Sequence, residues 1–172
     1  LNFIKKDNFD LIYQRLMFLT FKNNEWEIAI NNIYKLLKKE GLVEIVDTNF
    51  IINYDINPSK NIENMNERWI LYLKSCNINI NMISKLDNIL LKNYIKVEKK
   101  EIKIQIGDIN NNISKQFVDN WSLIMLNYID KIKYEDETED EFKNIVKKCK
   151  MDLLKSNSYY IYFYIYIGKK LF

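Results

Sequence analysis

Side chains that carry out chemistry are scarce in this sequence. Histidine is absent, which removes the commonest general base and every Ser-His or Cys-His nucleophile pair. The two cysteines, Cys76 and Cys149, cannot close a four-ligand zinc site without histidine, and we expect both to be reduced. The three glycines, Gly41, Gly107 and Gly168, are too far apart to form a phosphate-binding loop or a dinucleotide fingerprint. The sequence therefore predicts no catalytic residue, no cofactor and no metal ion, and a protein that is not an enzyme.

Two charged segments could in principle bind a ligand, one a metal ion and the other a nucleic acid. The acidic run from Glu135 to Glu141 has no glycine and lacks the alternating ligand spacing of a calcium loop, so we interpret it as a solvated linker. The segment from Lys143 to Lys155 is rich in lysine. Lysine attracts phosphate but reads bases poorly, so this segment favours a solvated face over a nucleic-acid site.

Composition limits the class of protein. The chain has 172 residues, of which 48% are hydrophobic and 28% charged, with a formal net charge of +3. This is a globular composition, and no apolar run approaches the ~20 residues of a membrane-spanning helix. The abundance of lysine, asparagine and isoleucine is typical of an AT-rich genome. We expect a cytoplasmic protein. Because the chain opens on Leu1, it is compatible with a fragment of a longer one.

Three times, an amphipathic helix is followed closely by a strand, a polar turn and a second strand. The first helix is predicted over residues 24–40, with Asn24 as its N-cap and Gly41 as its C-terminal stop. Its apolar stripe has helical spacing and consists of Trp26, Ile30, Ile33 and Leu37. Residues 42–46 and 50–54, separated by Asp47, Thr48 and Asn49, then predict a β-hairpin.

The later units repeat this pattern. A helix around Trp69 and another over residues 83–90 precede a second hairpin, predicted over residues 95–106 with its turn at residues 98–101. The third unit has a long tryptophan helix around Trp121 and a second helix that opens with a Thr138–Glu141 capping box. The chain then closes with a strand in which tyrosine alternates with isoleucine or phenylalanine over residues 160–167.

A helix that leads into a two-stranded wing is typical of winged-helix domains. We therefore predict a helix-rich α+β fold of tandem winged-helix modules. The predicted divisions are an N-terminal helix-plus-hairpin unit over residues 1–57, a module over 58–110 and a C-terminal module over 111–172. A helical bundle with stray strands is the alternative architecture.

The order of aromatic landmarks from residue 48 onward resembles a known family. Residues 50–58 run Phe-Ile-Ile-Asn-Tyr-Asp-Ile-Asn-Pro before the helix of Trp69, Leu73 and Cys76, and a second tryptophan helix contains Asp119, Trp121, Leu123, Ile124 and Tyr128. The chain ends Gly168-Lys-Lys-Leu-Phe172. This order is similar to the small subunit of the ESCRT-II endosomal sorting complex, the vacuolar protein sorting-associated protein 25 family. Residues 51 and 52 are isoleucines where the family has paired prolines.

The resemblance implies a non-enzymatic adaptor at the endosomal membrane. One surface would bind winged-helix core subunits of a parent complex, and a second would bind an ESCRT-III-type protein. Transferred by position, the partner-binding residues are Phe50, Tyr54 and Pro58, of which Phe50 and Tyr54 are large enough to anchor a contact. The same residues equally suit the second strand of the first hairpin. A nucleic-acid-binding winged-helix subunit of a transcription or replication factor is the alternative function.

Overall fold

The structure is a computed structural model that describes residues 6–93, 95–107 and 110–171. In chain order its elements are β1 (Phe9–Arg15), α1 (Glu25–Leu36), β2 (Leu37–Asp47), β3 (Asn53–Tyr54), α2 (Lys60–Ser75), a 3₁₀ turn (Ile83–Lys85), α3 (Leu86–Lys92), β4 (Ile95–Gln105), α4 (Asn112–Asn127), α5 (Ile129–Ile132), α6 (Glu139–Lys155) and β5 (Tyr159–Lys170). The strands form a mixed five-stranded sheet in the order β1-β2-β5-β3, and β4 also pairs with β5.

This sheet shows that the prediction of tandem winged-helix modules is wrong. The two strands of the first expected hairpin do not pair with each other. Residues 42–46 of β2 lie parallel to β1 and antiparallel to β5, whereas β3 pairs with Tyr159 and Tyr160. The second expected hairpin is the single strand β4, because its charged middle is exposed strand and not a turn. A five-stranded sheet also excludes the alternative of a helical bundle with stray strands.

The chain divides into two compact units, each assembled from segments that are distant in sequence. The first contains the described residues up to 49, residues 76–102 and those from 162 onward, and the second contains residues 50–75 and 103–161. The division predicted from sequence, at residues 57/58 and 110/111, stays a prediction.

In the first unit, β1, α1 and β2 form a crossover between two parallel strands. The buried stripe of α1, consisting of Trp26, Ile30 and Ile33, faces β2 and α3, as its spacing predicts. The helix ends at Leu36, four residues before the predicted end, because Leu37 already pairs with Phe9 of β1. Asn24 makes no side-chain capping bond.

Gly41 allows the backbones of β1 and β2 to approach each other closely. It does not form a left-handed helix cap. The residue with positive φ is Glu40, at 64°, whereas no glycine in the described residues has a positive φ. A Cβ at position 41 would lie 2.8 Å from the Lys38 carbonyl oxygen and 3.1 Å from that of Phe9. Glycine is therefore required for the fit of the backbone around the start of β2.

The tyrosines of β5 in the first unit belong to the core. Tyr166 is fully buried, and its hydroxyl donates a 2.6 Å hydrogen bond to the Ile83 carbonyl oxygen. Burial is the main cause that raises the pKa of this phenol, and the nearby charge of Asp87 raises it further. A buried phenol that keeps its proton and has an acceptor contributes to packing without a polar penalty.

The second unit is built around α2, α4, α5 and α6. Trp69, Trp121 and Phe142 are buried where these helices meet. The predicted capping box of α6 is confirmed, since Glu141 N donates to Thr138 Oγ1 at 3.2 Å and Thr138 N donates to Glu141 Oε2 at 2.8 Å.

A buried ion pair fixes the linker between α5 and α6. Arg68 Nη1 lies 2.5 Å from Glu137 Oε2, and the two side chains are only 4% and 10% exposed. The guanidinium also lies 3.9 Å from the centroid of the Tyr134 ring and donates to Asn64. The acidic segment is thus held by one of its own carboxylates and is not wholly solvated. Among the described residues, none of the helices has the length and hydropathy needed to cross a bilayer.

Candidate functional site

The carboxyl ends of the parallel strands β1 and β2 lie side by side in the first unit. Arg15 is in register with Val46, and Leu16 N donates to the Val46 carbonyl oxygen at 3.0 Å. The chain therefore leaves β1 and β2 at the same edge of the sheet. In open α/β sheets ligands bind outside this edge, because loops from adjacent strands meet there.

Asp47, the last residue of β2, joins the two loops. Its side chain is fully buried; Oδ2 accepts from Met17 N at 2.8 Å, and Oδ1 accepts from Thr48 N at 2.9 Å. Burial raises the pKa of this carboxyl to about 6, against the opposite effect of bonds from the backbone N–H groups of Thr48, Met17 and Phe18. The carboxylate therefore binds the loop after β1 at a cost in desolvation.

The loop after β1 has an uncommon backbone conformation. Leu16 has φ of 53°, in the left-handed region, which costs a non-glycine residue about 1–2 kcal/mol. Its side chain is 45% exposed at the edge, whereas Phe18, two residues further on, is fully buried. The Met17 N–H bond to Asp47 and the buried Phe18 ring hold this conformation in place.

Amide side chains tie a third segment, residues 77–82, to the same two loops. Asn49 Nδ2 donates to the Ile80 carbonyl oxygen at 3.3 Å, which joins this segment to the end of β2. Asn23 Nδ2 donates to Asn77 Oδ1 at 3.1 Å, and Asn23 Oδ1 accepts from Asn79 N at 2.8 Å. The asparagines are therefore structural at this edge and not only a product of genome composition.

The Asp47 carboxylate at this edge holds the loops in place and is not accessible for proton transfer. Both Asp47 oxygens already accept bonds from backbone N–H groups, and the residue is inaccessible. Within the described ranges, no group of three or more acidic or cysteine side chains is placed to hold a metal ion. Asp47 is accordingly a positioning residue for the Leu16–Phe18 loop.

The predicted partner-binding residues lie in the second unit. Tyr54 is 40% exposed on β3 and lines a groove of about 340 Å³ together with Asn66 and Tyr160. Phe50 is half-buried with φ of 57°, and Pro58 is half-buried before α2. Their role in binding another protein stays a prediction.

Sequence reasoning missed Asp47 because it treated residues 47–49 as a polar turn. Two features of the sequence point to it: an aspartate ends a strand, and that strand follows a helix with another strand before it. These features identify Asp47 only if β1 is also predicted, because the parallel pair of β1 and β2 defines the edge of the sheet at which Asp47 lies.

Comparison with known proteins identifies the fold. No family model matches the sequence, and no curated protein matches it. The structure is similar to the cyclopropane synthase MmaA2 from Mycobacterium tuberculosis, with a TM-score of 0.50 and 10% identity over 96% of this chain and 56% of that one. Similar too are a SAM-dependent methyltransferase from Archaeoglobus fulgidus (TM-score 0.48, 10% identity, 98% of this chain and 62% of that one) and phosphoethanolamine N-methyltransferase 2 of Haemonchus contortus in complex with S-adenosyl-L-methionine (0.47, 13%, 97% and 34%).

The mixed sheet with its helices thus has the Rossmann-like fold of methyltransferases. The chain spans less than two thirds of each of these three solved chains. At these identities the similarity establishes the fold alone.

The resemblance to the ESCRT-II small subunit is therefore wrong. The predicted endosomal adaptor function is wrong as well, and so is the alternative of a nucleic-acid-binding winged-helix factor. Both predictions depended on winged-helix modules, which the sheet does not contain. The expectation of a non-enzymatic protein is corrected as well, because the fold is one shared with enzymes.

Proposed function

We propose that the chain is part of a group-transfer enzyme with the methyltransferase fold, and that the carboxyl edge of β1 and β2 forms one wall of its ligand site. The observation that carries this proposal is the Asp47 contact, in which a buried carboxylate at the end of one parallel strand binds the loop that leaves the other. Burying this carboxylate costs free energy of desolvation, so its presence does not serve stability. We attribute it to the need for a fixed loop geometry.

The fold class makes S-adenosyl-L-methionine the first ligand to consider. The described residues offer this methyl donor only part of a site. A nucleoside needs an acidic side chain free to accept bonds from its ribose hydroxyls and a glycine turn that admits the ligand to the backbone. The Asp47 oxygens are occupied, and none of the three glycines lies at this edge with a positive φ. We assign no chemical step to these residues.

The chain's own contribution is to shape the edge. Asp47 holds Met17 and Phe18, and the half-buried Met17 and exposed Leu16 then offer an apolar contact at this edge. Preorganised loops of this kind raise the rate of a transfer reaction by fixing distance and angle between reacting groups.

Nuclear magnetic resonance of the ¹⁵N-labelled chain tests the proposal with S-adenosyl-L-homocysteine as the probe. We expect saturable shifts confined to residues 15–18 and 47–49, with a dissociation constant in the millimolar range, about −4 kcal/mol, as suits a single wall. Asp47→Asn should weaken this binding about tenfold, whereas Tyr54→Phe should leave it unchanged. Shifts centred on the groove beside Tyr54, or none at ten millimolar probe, would refute the proposal.

A further inference from the structure

Strand β1 is paired along one side and unpaired along the other. Within the described residues β1 pairs only with β2, which lies parallel to it. Leu16 N donates to the carbonyl oxygen of Val46, and Val46 is in register with Arg15. In a parallel ladder this pattern repeats at every second residue, so the backbone N–H and C=O groups of Leu11, Tyr13 and Arg15 point away from β2. We call these three residues the open side of β1.

The open side lacks the features that usually protect an unpaired strand. Charged side chains, proline and bulges discourage such a strand from pairing with another chain. Among the described residues β4 pairs only with β5, and it has six charged side chains in 11 residues, whereas β1 has two in seven. The register shift of β1 lies between Phe9 and Leu11 and leaves residues 11–15 in regular register. The open side is therefore available for a further strand.

A buried side-chain donor on β1 also lacks an acceptor. Gln14 is in register with Ile45, and its Nε2 atom is buried with no hydrogen-bond partner in the part of the chain that the structure describes. Buried side-chain donors in folded proteins nearly always have an acceptor. Strand β1 therefore has unmet hydrogen-bonding capacity in a side chain as well as along its backbone.

The backbone groups of the open side select an extended segment as the occupant. Groups on alternate residues of a strand are ~6.6 Å apart, which is two rises of ~3.3 Å. An extended chain presents its own N–H and C=O groups at the same repeat, whereas a helix bonds these groups internally. Leu11 and Tyr13, whose side chains are 58% and 53% exposed, then lie beside alternate side chains of that segment.

Arg15 determines the charge that the added segment carries. It is exposed and makes no ion pair within the described residues, whereas Asp10, the other charged residue of β1, is paired with Lys38 at 2.9 Å. Neighbouring strands lie about 4.8 Å apart, so an added strand is roughly 10 Å from Glu44 on β2 and roughly 14 Å from Lys169 on β5, beyond the ~8 Å screening length. Arg15 is therefore the nearest unpaired charge and favours an acidic side chain opposite it.

A second copy of β1 cannot supply this acid. Side chains and backbone groups alternate along a strand, so in an antiparallel pair of β1 strands the residues of one open side face those of the other. The open side consists of Leu11, Tyr13 and Arg15, none of which is acidic. Every register of self-pairing along the open side therefore leaves Arg15 opposite an apolar, aromatic or cationic side chain.

We propose that the open side of β1 adds an antiparallel strand of a partner polypeptide, which places apolar side chains opposite Leu11 and Tyr13 and a glutamate or aspartate opposite Arg15. Antiparallel pairing sets the opposed side chains in direct contact and is slightly more stable per residue than parallel pairing. The inference goes beyond the proposed ligand site, since it concerns the unpaired side of one strand and not the loops that follow the strands.

Two seven-residue peptides test the inference by fluorescence anisotropy. Both carry fluorescein at the C-terminus, with threonine at the odd positions and valine at positions four and six, which lie opposite Tyr13 and Leu11. They differ only at position two, which is glutamate or lysine and lies opposite Arg15. We expect the glutamate peptide to bind at least fivefold more tightly. Arg15→Gln should remove this preference, whereas Lys74→Gln, which replaces an exposed cation on α2 in the second unit, should retain it.

N-methylation separates backbone pairing from side-chain contact. In the proposed register the N–H group of position four faces Tyr13, whereas that of position five faces away from β1. N-methylation at position four should therefore weaken binding of the glutamate peptide at least tenfold. N-methylation at position five, which adds the same group to the other side of the peptide, should change binding less than threefold.

Four results would overturn the inference. The first is the absence of binding by the glutamate peptide at 500 micromolar, and the second is an equal loss from N-methylation at positions four and five. The third is a preference for glutamate that persists in Arg15→Gln. The fourth is a dimer in sedimentation velocity that the glutamate peptide dissociates, since a second copy would then be the occupant of the open side.

Discussion

The buried carboxyl of Asp47 makes a sharp prediction about stability and pH. Its ordinary pKa is 3.8, and burial in the folded chain raises it to about 6. Between these values the folded state binds a proton that the unfolded state has released, so stability falls as pH rises. About two pKa units at about 1.4 kcal/mol each give a loss of about 3 kcal/mol from below pH 4 to above pH 6.

Asp47→Asn isolates this effect because an amide does not titrate. The variant has one acceptor for the two backbone donors of Met17 and Thr48, which costs about 1–3 kcal/mol at every pH. The free energy of unfolding of the wild-type chain, minus that of the variant, should therefore decrease by about 2 kcal/mol or slightly more from pH 4 to pH 7, because the unfolded carboxyl is already half ionised at pH 4. Other titrating groups cancel in this difference.

Urea unfolding followed by tryptophan fluorescence at pH 4, 5, 6 and 7 measures the difference. Asp10→Asn is the control, because Asp10 is 83% exposed and pairs with Lys38 on the surface. The control should show a much smaller dependence on pH. If the wild-type chain gains stability relative to Asp47→Asn as pH rises, the carboxylate is favoured by its bonds more than it is opposed by burial, and the account of the site fails.

Three further changes probe the packing of the two units. Replacing Arg68 with Met leaves the buried Glu137 carboxylate without its cation, and urea unfolding should show a loss of about 3–5 kcal/mol, whereas an unchanged midpoint would mean that the pair contributes nothing. Thr138→Ala removes the side-chain cap of α6 and should cost about 1 kcal/mol in thermal unfolding, a loss that Thr138→Ser should largely restore. Tyr166→Phe leaves the Ile83 carbonyl oxygen unpaired and should cost about 1–3 kcal/mol in chemical unfolding, and a neutral result would contradict the hydrogen bond.

Helices could be predicted from this sequence because their signals are local. The stripe of α1 and the capping box of α6 depend on residues three or four positions apart. The structure confirms the capping box, and it confirms the stripe apart from Leu37, which lies in β2. Core packing is the default explanation for a tryptophan on a helix, and Trp26, Trp69 and Trp121 are each at most 2% exposed. In these elements, propensity, spacing and burial agree.

Strand partners could not be predicted in the same way. The alternation in residues 42–46 marks a strand but does not say whether its neighbour is the next segment, β1 or β5. In β4 the charged residues from Glu98 to Glu101 resembled a turn, although exposed strand positions accept the same side chains. Pairing is decided by contacts between distant segments, which leave no short-range signal.

The mistaken resemblance to the ESCRT-II small subunit has a physical cause: it was based on the spacing of residues along helices and not on how the strands pair. Trp69 and Trp121, the landmarks that carried it, are buried core residues of α2 and α4. Any helical layer with a packed core places large aromatic residues along its buried stripes at similar intervals. The order of such residues therefore reports that helices pack together and not which fold they pack in. The parallel register of Arg15 with Val46 distinguishes a Rossmann-like sheet from a wing, and it became visible only once both strands were placed.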